Sequence, residues 1–219
     1  MDIKQVTIIG TGLMGGSFGL ALRKHGFRGR IVGCDRAEVL AQARELDAID
    51  VGCEDPMVAA HGSDLILLAT PVGGIIDLVE MGQAFPPHAL ITDVGSTKQV
   101  IMQRARAIFG EQAPRRFLPG HPMAGKEHSG IQYADPDLFT DAVWLVTPWP
   151  EQDIRAGLSG AFLQWLHKLG ARVLQGGRMI HCHGNGLQHL RDLAGIVAMP
   201  GYEQNPGFHS ARSKILNSF

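Results

Sequence analysis

Short apolar runs alternate with amphipathic stretches through the first 175 residues of the chain. Runs rich in β-branched and aliphatic residues predict strands, and apolar positions three or four residues apart predict helices. The predicted strands are 6–9, 30–34, 64–69, 89–93, 117–118, 143–146 and 171–174. The predicted helices are 14–25, 37–46, 75–83, 97–109 and 152–169.

Most of these strands are apolar on both faces, and helices separate them. This pattern is typical of a parallel sheet that helices cover on both sides. It predicts an α/β fold of the Rossmann-type, doubly wound kind with a mainly parallel sheet, and it assigns residues 1–174 to one dinucleotide-binding domain.

The pattern weakens in residues 175–219, which are predicted to be a short irregular or helical tail. Glycines interrupt its start, and Pro200-Gly201 ends any helix there. Four apolar residues define one face of a short predicted helix: Leu187, Leu190, Leu193 and Val197.

Composition excludes several classes of protein. The 219 residues carry 20 Lys+Arg and 21 Asp+Glu, a net charge of −1, so we expect no nucleic-acid partner and no binding to anionic membranes. No apolar run could span a bilayer, and the N-terminus lacks a signal-peptide pattern. Three widely spaced cysteines, Cys34, Cys53 and Cys182, favour the reducing cytoplasm over a disulfide framework.

A glycine-rich turn follows the first predicted strand and fits the pattern G-x-G-x-x-G. In this pattern Gly10 permits the tight turn, Gly12 leaves room for a pyrophosphate, and Gly15 lets the helix approach the strand. The helix N-terminus adds free N–H groups and a partial positive charge. We predict a dinucleotide site that also includes Leu13 and Met14; the alternative is a glycine-rich turn without a ligand.

An acidic residue, Asp35, stands 20 positions after Gly15, at the end of the second predicted strand. This is the spacing of a carboxylate that binds the adenine ribose, and it favours NAD because it would repel a 2′-phosphate. The neighbouring Arg36 could accommodate that phosphate, so NADP is the alternative. Thr70 and Pro71, where the next long strand ends, complete the predicted cofactor contacts.

Two further segments are predicted at the carboxyl edge of the sheet, where open α/β sheets bind ligands. One runs from Asp93 to Lys98, and the other is a predicted loop from His121 to Glu127. Their structural alternatives are a helix N-cap at Ser96 or Thr97, a solvated Lys98 and a loop histidine. A place beside the cofactor favours the functional interpretation.

These segments resemble the prephenate and arogenate dehydrogenase family of tyrosine biosynthesis, over about residues 4–174. The glycine motif is shared with many dehydrogenases, whereas the other two motifs together are specific to this family. In the family's order, the chain reads Ile8-Ile9-Gly10-Thr11-Gly12-Leu13-Met14-Gly15-Gly16-Ser17, Asp93-Val94-Gly95-Ser96-Thr97-Lys98 and His121-Pro122-Met123-Ala124-Gly125.

The resemblance implies NAD(P)-dependent oxidative decarboxylation of prephenate to 4-hydroxyphenylpyruvate, with arogenate as the alternative substrate. It makes His121 the base that accepts the hydroxyl proton, a role that suits an imidazole. It places Ser96 near the substrate hydroxyl and the nicotinamide. Glu127 matches an acid that gates the substrate pocket; the alternative is a surface carboxylate paired with Lys126 or an arginine.

The resemblance stops at the tail. Family members are longer, and a helical domain after the nucleotide domain forms their homodimer and supplies a histidine and an arginine to the substrate. Residues 175–219 match neither, so a cofactor-binding fragment with little activity is a second hypothesis, and the grounds for a homodimer are weaker. A dehydrogenase of β-hydroxyacids is a third.

Arg115 and Arg116 are candidate anion contacts, with surface positions as the alternative. His181-Cys182-His183 lacks zinc-site spacing, so no metal is predicted.

Overall fold

The computed structural model describes residues 2–176. Within them, six parallel strands form the main sheet, in the spatial order β3-β2-β1-β4-β5-β6. The strands are β1 (Gln5–Ile9), β2 (Arg30–Cys34), β3 (Val51–Cys53), β4 (Leu65–Leu68), β5 (Leu90–Asp93) and β6 (Phe117–Leu118). The predicted Rossmann-type doubly wound fold is confirmed, because this is the strand order of that fold.

Helices cover both faces of the main sheet. They are α1 (Leu13–Lys24), α2 (Ala37–Glu45), α3 (Pro56–Ala59), α4 (Val72–Glu80), α5 (Lys98–Phe109) and α6 (Ala113–Arg116). A further helix, α7 (Gly157–Lys168), packs against α1 instead, where the ring centroid of Phe162 lies 6.4 Å from that of Phe18. Successive side chains of β1 point to opposite faces. Ile8 therefore packs in one core with Phe18 of α1, whereas Ile9 packs in the other with Ile75 of α4 and Ile101 of α5.

A second, three-stranded sheet lies beside the first and corrects part of the prediction. Its strands are β7 (Gly120–Met123), β8 (Val143–Val146) and β9 (Arg172–Gln175), with β7 antiparallel and β9 parallel to β8. Residues 143–146 and 171–174 were expected in the parallel sheet. Trp144 instead anchors β8 over α1, where its ring centroid lies 6.0 Å from that of Phe18 and 5.1 Å from that of Phe139.

Other differences concern short or interrupted elements. The sequence predicted neither β3 nor α3, and it placed His121 in a loop, whereas the residue lies in β7. The last predicted helix, 152–169, begins only at Gly157, whose φ of +56° breaks a regular helix. The predicted tail helix and the His181-Cys182-His183 segment lie outside the described residues. In residues 2–176, no helix is both long and apolar enough to cross a membrane.

Candidate functional site

The candidate site lies where the strand order of the main sheet changes direction, between β1 and β4. The connections that follow β1 and β4, which are neighbours in the sheet, lead to helices on opposite faces. Such a divergence opens a crevice at the carboxyl ends of the two strands, which is the ligand site of doubly wound folds. The turn from Gly10 to Gly15 forms one wall of this crevice, and Thr70 and Pro71 form the other.

The three motif glycines have different steric surroundings. Gly10 has a φ of +95°, and a Cβ there would lie 2.7 Å from the Thr70 nitrogen. A Cβ on Gly15 would lie 2.0 Å from the Gly10 oxygen and 2.7 Å from Ile8 Cγ2. A Cβ on Gly12 would have no neighbour within 4 Å among residues 2–176. Gly10 and Gly15 are therefore required by the fold itself, whereas Gly12 borders open space, as a pyrophosphate site requires.

The N-terminus of α1 is electrostatically suited to an anion. Gly12 caps it without a side-chain hydrogen bond, and the first turn, which includes Leu13 and Met14, contains no acidic residue. Two basic residues, Arg23 and Lys24, stand in the last turn instead. The partial positive charge of the first turn is therefore not neutralised by a carboxylate of the same helix.

Asp35 lies at the end of β2, beside the glycine turn. Its Oδ2 accepts a hydrogen bond from the Thr11 backbone nitrogen at 2.8 Å, and its Oδ1 accepts one from the Arg36 backbone nitrogen at 2.8 Å. A carboxylate has about four lone-pair positions, so acceptor capacity is left for ribose hydroxyls. Asp35 thus shapes the turn as well as facing the crevice, while Arg36 is exposed beside it.

The thiol beside Asp35 is neutral. Burial, with Cys53 and nearby carboxylates as further causes, raises the pKa of Cys34 to about 12. Its backbone oxygen accepts a hydrogen bond from the Gly10 nitrogen at 2.8 Å, which ties β2 to the glycine turn. Asp35 is therefore the anionic group that this strand end presents to the crevice.

Thr70 contributes a buried hydroxyl to the opposite wall. Its Oγ1 has no hydrogen-bond partner among residues 2–176, although it is shielded from solvent. Buried polar atoms are normally hydrogen-bonded, so an orphan at a crevice is consistent with a ligand partner. Pro71 follows as the exposed N-cap of α4.

A buried ion pair supports the far side of the crevice. Lys98, at the start of α5, contacts the Asp93 carboxylate at the end of β5, and neither side chain reaches solvent to any extent. Burial raises the pKa of the Asp93 carboxyl, against the opposing effects of Lys98 and of the Gly120 and Gly95 amides. The interpretation of Lys98 as a solvated first-turn residue is wrong.

Ser96 and His121 are both brought to this side. Ser96 is exposed in the connection between β5 and α5, three residues after Asp93. His121 is half-buried in β7, directly opposite Leu145 of β8 and next to Gly120, which bonds to Asp93. Thr97 is the N-cap of α5 by position, but its side chain makes no capping hydrogen bond.

Glu127 lies exposed in the connection that follows β7. The predicted alternative paired it with Lys126, but Lys126 binds Asp135 at 2.9 Å instead. This contact and the Asp137 amide lower the pKa of the Asp135 carboxyl. The Asp135 nitrogen in turn donates to Ser17 Oγ of α1 at 2.9 Å, so the segment that carries Glu127 is fastened to the glycine-turn helix.

Two other charged candidates lie away from the crevice. Arg116 is buried, donates to the Gly82 and Phe85 carbonyls, and lies over the Phe109 ring. Because α6 precedes β6, Arg115 and Arg116 stand at the amino edge of the sheet, opposite the crevice. Among residues 2–176, no group of three or more His, Cys, Asp or Glu side chains is arranged to hold a metal ion.

Sequence reasoning missed the contacts that organise these residues. The Asp93–Lys98 pair and the bond from Thr11 to Asp35 were not predicted, although three of these residues lie in the quoted motifs and Asp35 was already a candidate ribose contact. An Asp at a strand end with a Lys five positions later, inside the next helix turn, is the available signal for the buried pair.

Comparison with known proteins gives a consistent result. Residues 18–175 match the family model described as prephenate dehydrogenase, nucleotide-binding domain. The prephenate dehydrogenase of Lactococcus lactis is 35% identical over 166 residues, which are 75% of this chain and 46% of the relative. That of Bacillus subtilis is 34% identical over 154 residues, or 69% of this chain and 41% of the relative. The chain thus spans less than half the length of these relatives.

Solved structures agree with the sequence comparison. Prephenate dehydrogenase from Aquifex aeolicus, in complex with hydroxyphenyl propionate and NAD+, has 30% identity and a TM-score of 0.71, covering 80% of this chain and 60% of that one. Synechocystis arogenate dehydrogenase has 22% identity and a TM-score of 0.69 over 98% of this chain and 84% of that one. At that identity, the second match bears on the fold alone.

Proposed function

Because the chain belongs to the prephenate dehydrogenase family, we propose that it binds NAD and catalyses, or forms the cofactor half of a site that catalyses, the oxidative decarboxylation of prephenate to 4-hydroxyphenylpyruvate. The observation that carries the proposal is the convergence of two features at one crevice. A glycine turn with open space at Gly12 lies on one side, and His121 and Ser96 lie on the other.

The residues present fit a dinucleotide. Gly12 leaves room for a pyrophosphate at the N-terminus of α1, and Thr70 offers an unpaired buried hydroxyl across the crevice. Leu13, Met14 and Pro71 would border the cofactor. Bound NAD supplies the acceptor for the hydride that leaves the ring carbon bearing the hydroxyl.

NAD is proposed over NADP because of the charge beside the ribose position. The Asp35 carboxylate would repel a 2′-phosphate, and the neighbouring Cys34 thiol is neutral. The exposed Arg36 guanidinium keeps NADP as the alternative cofactor. The same ribose contact decides between them in related folds.

His121 is proposed to accept the substrate's hydroxyl proton. Its imidazole is half-buried on a strand, which restricts its orientation more than a loop would. Ser96, exposed at the opposite connection, orients the hydroxyl by a hydrogen bond. Loss of the hydride leaves a carbonyl on the ring. The ring carboxylate then leaves as CO₂, its electron pair aromatises the ring, and the resulting phenolate oxygen takes the proton back from His121. Glu127 is proposed to border the substrate entrance.

Two observations support this substrate class. The Aquifex aeolicus relative was solved with hydroxyphenyl propionate, a phenol with a carboxylate side chain. The chain also carries the two motifs around Ser96 and His121 that resemble the family. Prephenate is our first proposal and arogenate the alternative, since nothing in residues 2–176 distinguishes their side chains. The limits 1–174 for the cofactor domain and a cytoplasmic location remain predictions.

A second candidate function follows from length. The chain spans less than half the length of the curated relatives it matches, and the part of the relatives outside the match is the alternative place for contacts to the substrate's carboxylates. In that case it binds cofactor without useful turnover. We propose the family's homodimer for this chain only together with full activity.

Turnover of purified protein tests the proposal. With NAD and prephenate, the wild-type chain should reduce nicotinamide, and His121→Asn should lower kcat by about 10²- to 10⁴-fold, the usual contribution of a general base. NAD affinity, measured by calorimetry, should stay within about twofold, because the glycine turn is untouched. Glu38→Gln, an exposed carboxylate on α2, is the control and should behave as wild type.

The outcomes separate the two candidates. NAD binding without turnover supports the cofactor-binding half. Absence of NAD binding, or full turnover by His121→Asn, contradicts the proposal.

A further inference from the structure

Asp93 and Lys98 form an ion pair in the protein interior, with exposed fractions of 0% and 5%. Burying two charges is costly, and well-packed apolar residues often stabilise a fold as well as such a pair does. Fold stability alone therefore does not account for this arrangement. Its position does, because the pair bonds to the backbone of Gly95 and Gly120, the residues directly before Ser96 and His121.

The pair is tied to both catalytic segments through backbone atoms. Asp93 Oδ2 accepts from the Gly95 nitrogen at 3.0 Å, which fixes the connection that holds Ser96. Asp93 Oδ1 accepts from the Gly120 nitrogen at 3.2 Å, and Lys98 Nζ donates to the Gly120 oxygen. Both polar backbone atoms of Gly120 are thus bound by the pair, and His121 is the next residue.

Gly120 also packs unusually tightly at this junction. A Cβ on it would lie 2.7 Å from the backbone oxygen of Asp93 and 2.9 Å from Trp144 Nε1. β7 belongs to the second sheet, whereas β5 belongs to the main sheet. The close approach and the ion pair therefore join the two sheets at Gly120, the first residue of β7, directly before His121.

From this geometry we propose that Asp93 and Lys98 are positioning residues, which hold His121 on the second sheet in register with Ser96 on the main sheet. Neither acts on substrate directly; each acts through the backbone of Gly95 or Gly120. The inference deepens the proposed function and rests on it for its kinetic consequence, but its structural part can be tested separately.

The consequence is specific to the chemical step. A misplacement of about 1 Å in a reacting group can cost about 10²-fold in rate. The glycine turn is held by other contacts, namely those of Asp35 with Thr11, so cofactor binding should not depend on the pair. Loss of the pair should therefore lower kcat while the Kd for NAD changes little.

The test separates positioning from folding by removing the two charges singly and together. Asp93→Asn removes the carboxylate that balances the buried Lys98 charge, and Lys98→Met removes the ammonium that balances Asp93, so both should lower Tm strongly. The double variant leaves no unpaired charge, so its Tm should recover much of that loss. Its kcat should nevertheless stay about 10²-fold below wild type, with a Kd for NAD within about twofold.

Arg116→Met is the matched control. It also removes a buried cation that binds two backbone carbonyls, but at the opposite edge of the sheet. It should lower Tm while kcat stays within about twofold of wild type. A double variant with wild-type kcat would overturn the positioning role, as would an Arg116→Met variant that loses kcat equally.

Hydrogen exchange gives a readout that needs no turnover. The Gly120 amide should exchange at least about tenfold faster in the double variant and unchanged in Arg116→Met, since only the former weakens its acceptor. Unchanged exchange in the double variant would contradict the proposal. If the wild-type chain shows no turnover, the activity proposal fails or its cofactor-half alternative holds, and Gly120 exchange still decides the positioning role.

Discussion

At the scale of single residues, Asp35 has a structural role and a proposed binding role, which the sequence could not separate. Spacing after the glycine motif predicted a ribose ligand, and the structure adds that this carboxylate also accepts from the Thr11 and Arg36 backbone nitrogens. A substitution that removes the whole side chain would therefore disturb the turn as well as the ribose contact. Asn is the cleaner probe, because its amide oxygen can still accept a hydrogen bond.

Asp35→Asn should weaken NAD binding by about tenfold, since a hydrogen bond to a charged acceptor is worth about 1.5–3 kcal/mol and part of it remains. NADP binding should weaken less or improve, because the repulsion of the 2′-phosphate is gone. Calorimetric titration with both cofactors measures the ratio, with Glu38→Gln as the control. An equal loss for the two cofactors would count against the ribose assignment.

At the scale of elements, the start of α1 combines a steric requirement with a binding one. Gly15 is needed because α1 crosses β1 too closely for any side chain, whereas Gly12 borders empty space. The two glycines should therefore respond differently to the same substitution.

Gly12→Ala should leave the free energy of unfolding within about 0.5 kcal/mol of wild type, because its Cβ meets nothing. It should nevertheless reduce NAD affinity by about tenfold or more, since the new methyl group would clash with the pyrophosphate. Gly73→Ala in α4, whose Cβ is equally unobstructed, is the control for both measurements. Urea unfolding measures the stability and calorimetry the NAD affinity. Normal NAD binding by Gly12→Ala would contradict the pyrophosphate site at Gly12.

The sequence predicted the elements whose patterns are strong. Strands such as Leu65–Leu68 are apolar at every position, because both faces of the sheet are covered. Such a continuous apolar run can be recognised in the sequence. Val51–Cys53 was missed because it is a short edge strand with exposed or half-buried residues. Gly120–Met123 was missed because it contains a glycine and a proline, which normally argue against a strand.

The candidate site was predictable to a different extent. Sequence motifs identified its candidate residues, but a local sequence pattern cannot predict contacts between segments that are distant in the chain. The hydrogen bonds that the Gly120 nitrogen donates to Asp93 and the Asp135 nitrogen donates to Ser17 span 27 and 118 positions. Periodicity says nothing about such pairs, so the burial of Lys98 was not predicted, and a solvated side chain stood as the structural alternative.

At the scale of the whole molecule, the central claim is that two sheets meet to form one reaction crevice. The main sheet supplies the glycine turn, Asp35 and Ser96, and the second sheet supplies His121. Trp144 packs the second sheet on α1, and the segment around Asp135 fastens it to the same helix. The cofactor wall and the proposed base are thus parts of one packed unit.

A crystal structure of the full chain with NAD+ bound is the most direct test of this account. It should show the pyrophosphate over Gly12 at the start of α1, the adenine ribose at Asp35, and the nicotinamide turned toward β7, with space for a six-membered ring between its reactive carbon and the His121 imidazole. A nicotinamide directed away from His121, or a nucleotide bound elsewhere on the chain, would contradict it.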